Sequence, residues 1–169
     1  PPLIAREDIL PILQDEPALV SLMGIKVRDA EGQPVAAASV DWASVDPYAI
    51  PYSFRMEPGI DNLLGGVRFS LTNDQAIYLH DSPERDRFGA GVRTFSSGCV
   101  RVGNSAALAS WIMGRQKNWK RTDVIAAMVK GKTRIEVLPH AIAVDFIYST
   151  VGLREDGTLV FKPDIYGED

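Results

Sequence analysis

The chain has 169 residues, enough for one domain of ordinary size, and its 46% hydrophobic and 24% charged content is globular rather than disordered. A net charge of -4 with both signs interspersed offers no basic stripe for nucleic acid, and no apolar run approaches the roughly 18–20 residues of a spanning helix. A single cysteine excludes a disulfide within the chain and a cysteine-rich zinc site.

The opening Pro1-Pro2-Leu3-Ile4-Ala5-Arg6 has neither the charged start nor the apolar stretch of a signal peptide, and no initiator Met. The chain is therefore expected to be a mature or trimmed piece of something longer. Ala5 to Leu22 reads as a helix broken once: Ile9, Leu10, Ile12 and Leu13 recur at helical spacing, Pro17 suits the first turn of a second helix, and Gly24 suits its stop. Ile25 to Arg28 reads as a short strand, and residues 29–34 as a turn cluster. A proline-punctuated, loop-rich stretch follows to Gly59. Its aromatics Trp42, Tyr48, Tyr52 and Phe54 suit either a groove for a glycan or peptide or the minor core of a lid.

After Gly59 the texture changes. Gly66 to Leu71 and Ala76 to His80 read as strands, and the charged residues 81–95 as an exposed loop in which Glu84-Arg85-Asp86-Arg87 is a solvated run. Asn104 or Ser105 can cap a helix to about Gly114 with Leu108, Trp111 and Ile112 on its apolar face. Thr122 can cap another, 123–130, closed by Gly131. Arg134 to Leu138, Ala143 to Val151 and Thr158 to Phe161 read as strands, with Asp156-Gly157 as a hairpin turn. This order of elements predicts an α+β domain rich in antiparallel strand.

The chemistry centres on Cys99. A lone cysteine reads first as a small buried hydrophobe, but its context Ser96-Ser97-Gly98-Cys99-Val100-Arg101 alters that reading. Gly98 permits a tight open turn beside the sulfur, aiming the amides of Gly98 and Cys99 at an oxyanion. Arg101 places a fixed positive charge two residues on, and the two serines add donors. Histidine is the usual base for a thiol, and the chain has two, His80 and His140. His80 ends the apolar strand Ile77-Tyr78-Leu79, which puts Tyr78 on the same face. His140 follows Pro139 at a strand end, where a surface role is the ordinary one. Spacing alone leaves the choice of histidine open.

His80 followed after fifteen residues by Ser96-Ser97-Gly98-Cys99-Val100-Arg101 resembles the active-site signature of L,D-transpeptidases with the YkuD-type catalytic domain. Ser97, where many members carry a second histidine, resembles the large periplasmic YcbB-like subgroup. So do Pro1 to Arg6, Asp8-Ile9-Leu10-Pro11, Val40-Asp41-Trp42, Pro58-Gly59, Asn62, Leu64-Gly65, Arg68-Phe69, 77–83 and Asp164-Ile165-Tyr166. The resemblance implies a mainly antiparallel YkuD-like core with flanking helices and an inserted loop-rich or helical cap. Residues 1–60 would be the cap and 61–169 the C-terminal part of the core, whose N-terminal strands are missing. It also implies a 3→3 cross-linking transpeptidase that forms a Cys99 thioester with a peptidoglycan tetrapeptide stem and releases D-alanine.

In that scheme His80 is the base, oriented by the Asp81 backbone carbonyl. Ser97, Gly98 and Cys99 supply oxyanion amides, and Ser96, Arg101 and Tyr78 line the substrate site. No cofactor is needed. The partners would be stem peptides, carbapenem-type β-lactams as covalent inhibitors, and the N-terminal part of the same protein, all in the periplasm. Two alternatives stand beside it: a cysteine peptidase of cell-wall peptides pairing Cys99 with His140, and an inactive cell-wall-binding module.

Overall fold

The computed structural model describes residues 2–59, 61–96 and 98–168. It divides into two compact units, 1–137 and 138–169.

The larger unit begins with a short α1, Pro2–Ile4, and a π-helical turn, Ala5–Ile9, that runs into α2, Leu10–Asp15; α3 spans Pro17–Leu22. The break falls where the sequence places it, with Pro17 at the start of α3 and Gly24 beyond its end at φ +74°. β1, Ile25–Arg28, pairs antiparallel with both β2, Pro34–Val35, and β3, Ser53–Met56. β3 lies inside the stretch expected to be loop. Its residues alternate half-buried and exposed, as an edge strand does, and the flanking Pro51 and Pro58 mask that short period.

Leu10 and Leu13 of α2, Val20 of α3 and Ile25 and Val27 of β1 close a core around Trp42, whose exposure is 2%. The indole Nε1–H donates to the Ala37 carbonyl at 2.6 Å, so its one polar atom is satisfied, and Tyr52 packs against the ring at 4.9 Å between centroids. Trp42, Tyr52 and Phe54 thus belong to a packed core rather than a groove. Tyr48 differs: it is exposed, with the Arg6 guanidinium over its ring.

The second sheet has the order β4-β5-β6, from β4 Arg68–Ser70, β5 Tyr78–His80 and β6 Val100–Arg101. β4 and β5 are antiparallel, whereas β5 and β6 are parallel. A parallel pair needs a long crossover, and residues 81–99 supply it. That segment is not the wholly exposed loop expected: Asp81 and Ser82 at its start are buried, and a 3₁₀ turn covers Arg85–Gly89.

α4, Ser105–Lys117, starts at an Asn104 cap whose side chain accepts from the Ala107 amide. It continues past Gly114 until Asn118 takes the left-handed conformation, φ 56°. Its buried line is Ser105, Ala109 and Met113, spaced by four, whereas Trp111, expected on the apolar face, is exposed beneath Arg115. α5, Arg121–Val129, begins at Lys120 rather than Thr122, because the Asp123 carboxylate accepts from the Lys120 amide at 2.8 Å.

In the smaller unit β7, Val151–Leu153, and β8, Leu159–Phe161, form an antiparallel hairpin turned by Asp156-Gly157, with Gly157 at φ +84°. The strands expected at Arg134 to Leu138 and Ala143 to Val151 do not form: residues 133–149 carry neither helix nor strand. Their apolar alternation suits a pleated surface, but a strand exists only with a neighbour to take its amides and carbonyls, and among the described residues none pairs with them. The chain is a mixed helix-and-sheet protein with antiparallel strands, consistent with a YkuD-like domain.

Candidate active site

The site is built on one face of the second sheet. Arg68 pairs with His80, Ser70 with Tyr78, and His80 with Arg101. Directly opposed residues in a sheet project to the same side, so Arg68, Ser70, Tyr78, His80 and Arg101 share a face. Cys99 lies two residues before Arg101 and, in extended chain, projects to that same face.

His80 is buried, with 5% exposure. Its Nδ1 meets the Asp81 backbone carbonyl. A carbonyl can only accept, so Nδ1 carries the proton and Nε2 keeps a free lone pair. Burial pushes the His80 pKa down and the nearby charge of Arg101 adds to that. The contact with the Asp81 carbonyl and the Asp81 charge oppose it, but the net direction is down. The imidazole is therefore neutral at pH 7, the form a base requires. By linkage the unfolded chain binds the proton more readily, so this group costs stability once pH falls below about 6.5.

The Asp81 peptide is itself held by its own side chain. Oδ1 accepts from Ser105 Oγ at 2.6 Å and from Arg85 Nη2 at 2.5 Å, and Oδ2 accepts from the Gly66 amide at 2.8 Å. The backbone is pinned as well: Asp81 N–H donates to the Val67 carbonyl and Val102 N–H to the His80 carbonyl, each at 2.8 Å. Burial alone would raise the Asp81 pKa, but hydrogen bonds from Ser105, Gly66 and Ser82 and the Arg85 charge outweigh it, and the group is held below its ordinary value. Gly65, at φ +61°, is required here because a Cβ would overlap the carboxylate.

The network gives a prediction. Ser105→Ala should cost about 1–3 kcal/mol, the loss of one hydrogen bond to a buried carboxylate, and should raise the Asp81 pKa. A depressed carboxylate stabilises the fold above its unfolded pKa and loses that contribution as pH falls through the folded value. Acid unfolding of the variant should therefore begin at a higher pH, read from urea midpoints across a pH series. Arg85 contributes less than Ser105, since its side chain is 52% exposed and screened.

Cys99 is partly exposed, and its Sγ lies 4.0 Å from the Ala76 carbonyl. Gly98 precedes it at φ +133°, a conformation only glycine adopts freely, and Ser96 Oγ donates to the Cys99 carbonyl at 2.6 Å. Tyr78 is the common neighbour. Its ring meets His80 edge-on at 6.0 Å, and its hydroxyl pKa is raised by burial first, then by the charge of Cys99 and a hydrogen bond with it. Arg101 reaches Glu84 at 3.0 Å, while its Nε and Nη1 are buried with no partner among the described residues. Glu84 also pairs with Arg87 at 2.8 Å, so the run 84–87 is not merely solvated but packed against the site.

His80, Asp81, Tyr78, Gly98, Cys99 and Arg101 thus gather at the parallel β5–β6 junction, with Ser96 bracing the turn. Ser97 lies outside the described residues, and His140 belongs to the smaller unit. Gly65, Gly66, Ser105 and Arg85 were not read as site residues. Their signal lay in a Gly-Gly pair, a helix-capping serine and a charged run, each with a commoner explanation. Among the described residues no group of His, Cys, Asp and Glu is placed to hold a metal ion.

The profile of the L,D-transpeptidase catalytic domain, YkuD, matches residues 2–139. A Haemophilus influenzae protein provisionally named an L,D-transpeptidase is 36% identical over 166 residues; the match takes in 98% of this chain but 33% of that protein, so the chain spans about a third of its relative's length.

Proposed function

From the premise that the chain belongs to the YkuD family of L,D-transpeptidase catalytic domains, we propose that it carries the acyl-transfer chemistry of a peptidoglycan L,D-transpeptidase of the YcbB-like kind, with Cys99 as nucleophile and His80 as base. The observation that carries this reading is the buried, neutral His80, whose Nδ1 is occupied by the Asp81 carbonyl and whose ring neighbour Tyr78 hydrogen-bonds Cys99.

The steps balance on these residues alone. His80 Nε2 takes the thiol proton as Cys99 Sγ bonds to the carbonyl carbon of the third stem residue. The amides of Gly98 and Cys99 face the oxyanion, with Gly98's positive φ setting their turn. The tetrahedral species then breaks its C–N bond, His80 returns the proton to the leaving amine, and D-alanine departs from the thioester. The side-chain amine of a second stem attacks that thioester. His80 takes the amine proton, the C–S bond breaks, and a 3→3 cross-link forms as the thiolate is reprotonated. A carbapenem's strained carbonyl would be opened by the same sulfur. On this reading the donor is a wall stem peptide outside the cytoplasm, and the reaction would run in the periplasm.

The test is to treat purified wall material with the protein, digest it, and weigh the fragments. Dimers joined through third residues are expected. Fragments shortened by hydrolysis, with no dimers, would sink the cross-linking assignment.

A pH prediction follows from His80. Because its pKa is depressed, the acid limb of kcat/KM should lie below the ordinary histidine value of about 6.5. Arg101→Gln removes a positive charge that disfavours the imidazolium, so the limb should move to higher pH and activity at pH 6 should fall more than at pH 8. An unmoved limb would show that another group sets it.

A further inference from the structure

Around this site Arg85 is engaged with Asp81, and Arg101 and Arg87 with Glu84. Arg68 differs. It is exposed on β4, its guanidinium carbon sits 5.1 Å from the centre of the Tyr78 ring, and among the described residues no carboxylate pairs with it. It opens onto a depression of about 220 Å³ lined by Arg68, Ser70, Leu71, Ala76, Ile77 and Tyr78. The depression lies next to the sulfur: two of its lining residues touch Cys99, Ala76 through its carbonyl at 4.0 Å from Sγ and Tyr78 through its hydroxyl. Ala76 is held at φ 56°, unusual for a residue other than glycine, which turns the chain at the depression's wall.

The dimensions fit one amino acid. Successive Cα atoms lie about 3.8 Å apart, so when a scissile carbonyl is at Cys99, the α-carboxylate of the next residue falls about one residue away. Leu71 and Ile77 offer an apolar wall for a small side chain. Ser70 offers a hydroxyl beside the cation on the same sheet face. Such a carboxylate is free only when that residue is the last of the donor peptide.

We propose that Arg68 is the carboxylate-binding residue of a leaving-group subsite, so that the protein selects acyl donors ending one residue beyond the scissile amide. The proposal rests on the transpeptidase reading above and adds to it the group that measures the donor's length. Guanidinium and carboxylate match as donor and acceptor forks, and the Tyr78 ring limits the orientations that Arg68 can take.

The experiment compares a tetrapeptide stem with its C-terminal amide, in the wild type, Arg68→Gln and Arg68→Lys, with acylation of Cys99 followed by intact mass and by release of alanine or alaninamide. The wild type should prefer the free carboxylate by about tenfold or more in kcat/KM, the value of one charge-assisted pair. The preference should shrink as salt rises. Arg68→Gln should bring the ratio close to one by slowing the acid donor, and Arg68→Lys should keep part of it. Because the ratio is taken within each protein, a partly unfolded variant still reports it. A full preference retained in Arg68→Gln, or no preference in the wild type, overturns the subsite. Acylation of the wild type by neither donor overturns the transpeptidase reading instead, so the two failures are distinct.

Discussion

Cys99→Ala is expected to abolish acyl transfer, with kcat falling by at least about 10⁴-fold, and to leave no mass adduct after exposure to a carbapenem that labels the wild type stoichiometrically. The size follows from the reaction's form. With no sulfur there is no thioester, and oxyanion donors and binding alone supply only the residual acceleration that survives loss of a nucleophile in comparable covalent enzymes. The side chain is partly exposed and makes only a long contact with the Ala76 carbonyl, so truncation costs little packing. The loss would therefore be chemical, and unchanged urea unfolding of the variant would show it. An adduct that persists in Cys99→Ala would move the nucleophile elsewhere.

Cys99 and His80 stood out in the sequence because each sits in a short contiguous motif whose chemistry depends on residue type, while the contact of His80 with the Asp81 carbonyl was expected only from the family resemblance and is present in the fold. The Asp81 side chain did not stand out. Its partners come from the Gly65-Gly66 turn, the first residue of α4 and the 3₁₀ turn at Arg85, and only the fold brings these three segments to one carboxylate. Ser105 illustrates the ambiguity: a serine at a helix start reads as a cap, yet Asn104 does the capping and Ser105 turns inward. Trp42 shows its core role only in the fold, where the Ala37 carbonyl accepts its indole N–H.

The expected strand over Ala143 to Val151 failed for the converse reason. The alternation of Val144, Phe146 and Tyr148 is a property of the segment, but a strand is a property of a pair, and no periodicity reports a partner. Arg68 entered the sequence reading only within the Arg68-Phe69 resemblance, with no role attached. Its significance depends on register with His80 and on the depression beside Tyr78.

His80→Gln should lower single-turnover acylation by about 10²–10⁴-fold, the range for loss of a positioned general base, while His140→Ala should stay near the wild-type rate. Gln keeps a polar side chain in a nearly closed space, where Ala would open a cavity and leave the Asp81 carbonyl without its donor. The two substitutions decide between readings that differ in chain order, because a papain-type arrangement would take its histidine after the cysteine and would need His140. Loss at His140 with retention at His80 would assign Cys99 to that peptidase arrangement. The pH profile separates base from scaffold: if His80 is the base, the acid limb set by its imidazole is lost in His80→Gln. A variant slowed equally at every pH, with the limb intact, would mean that His80 only supports the strand and that another group takes the Cys99 proton.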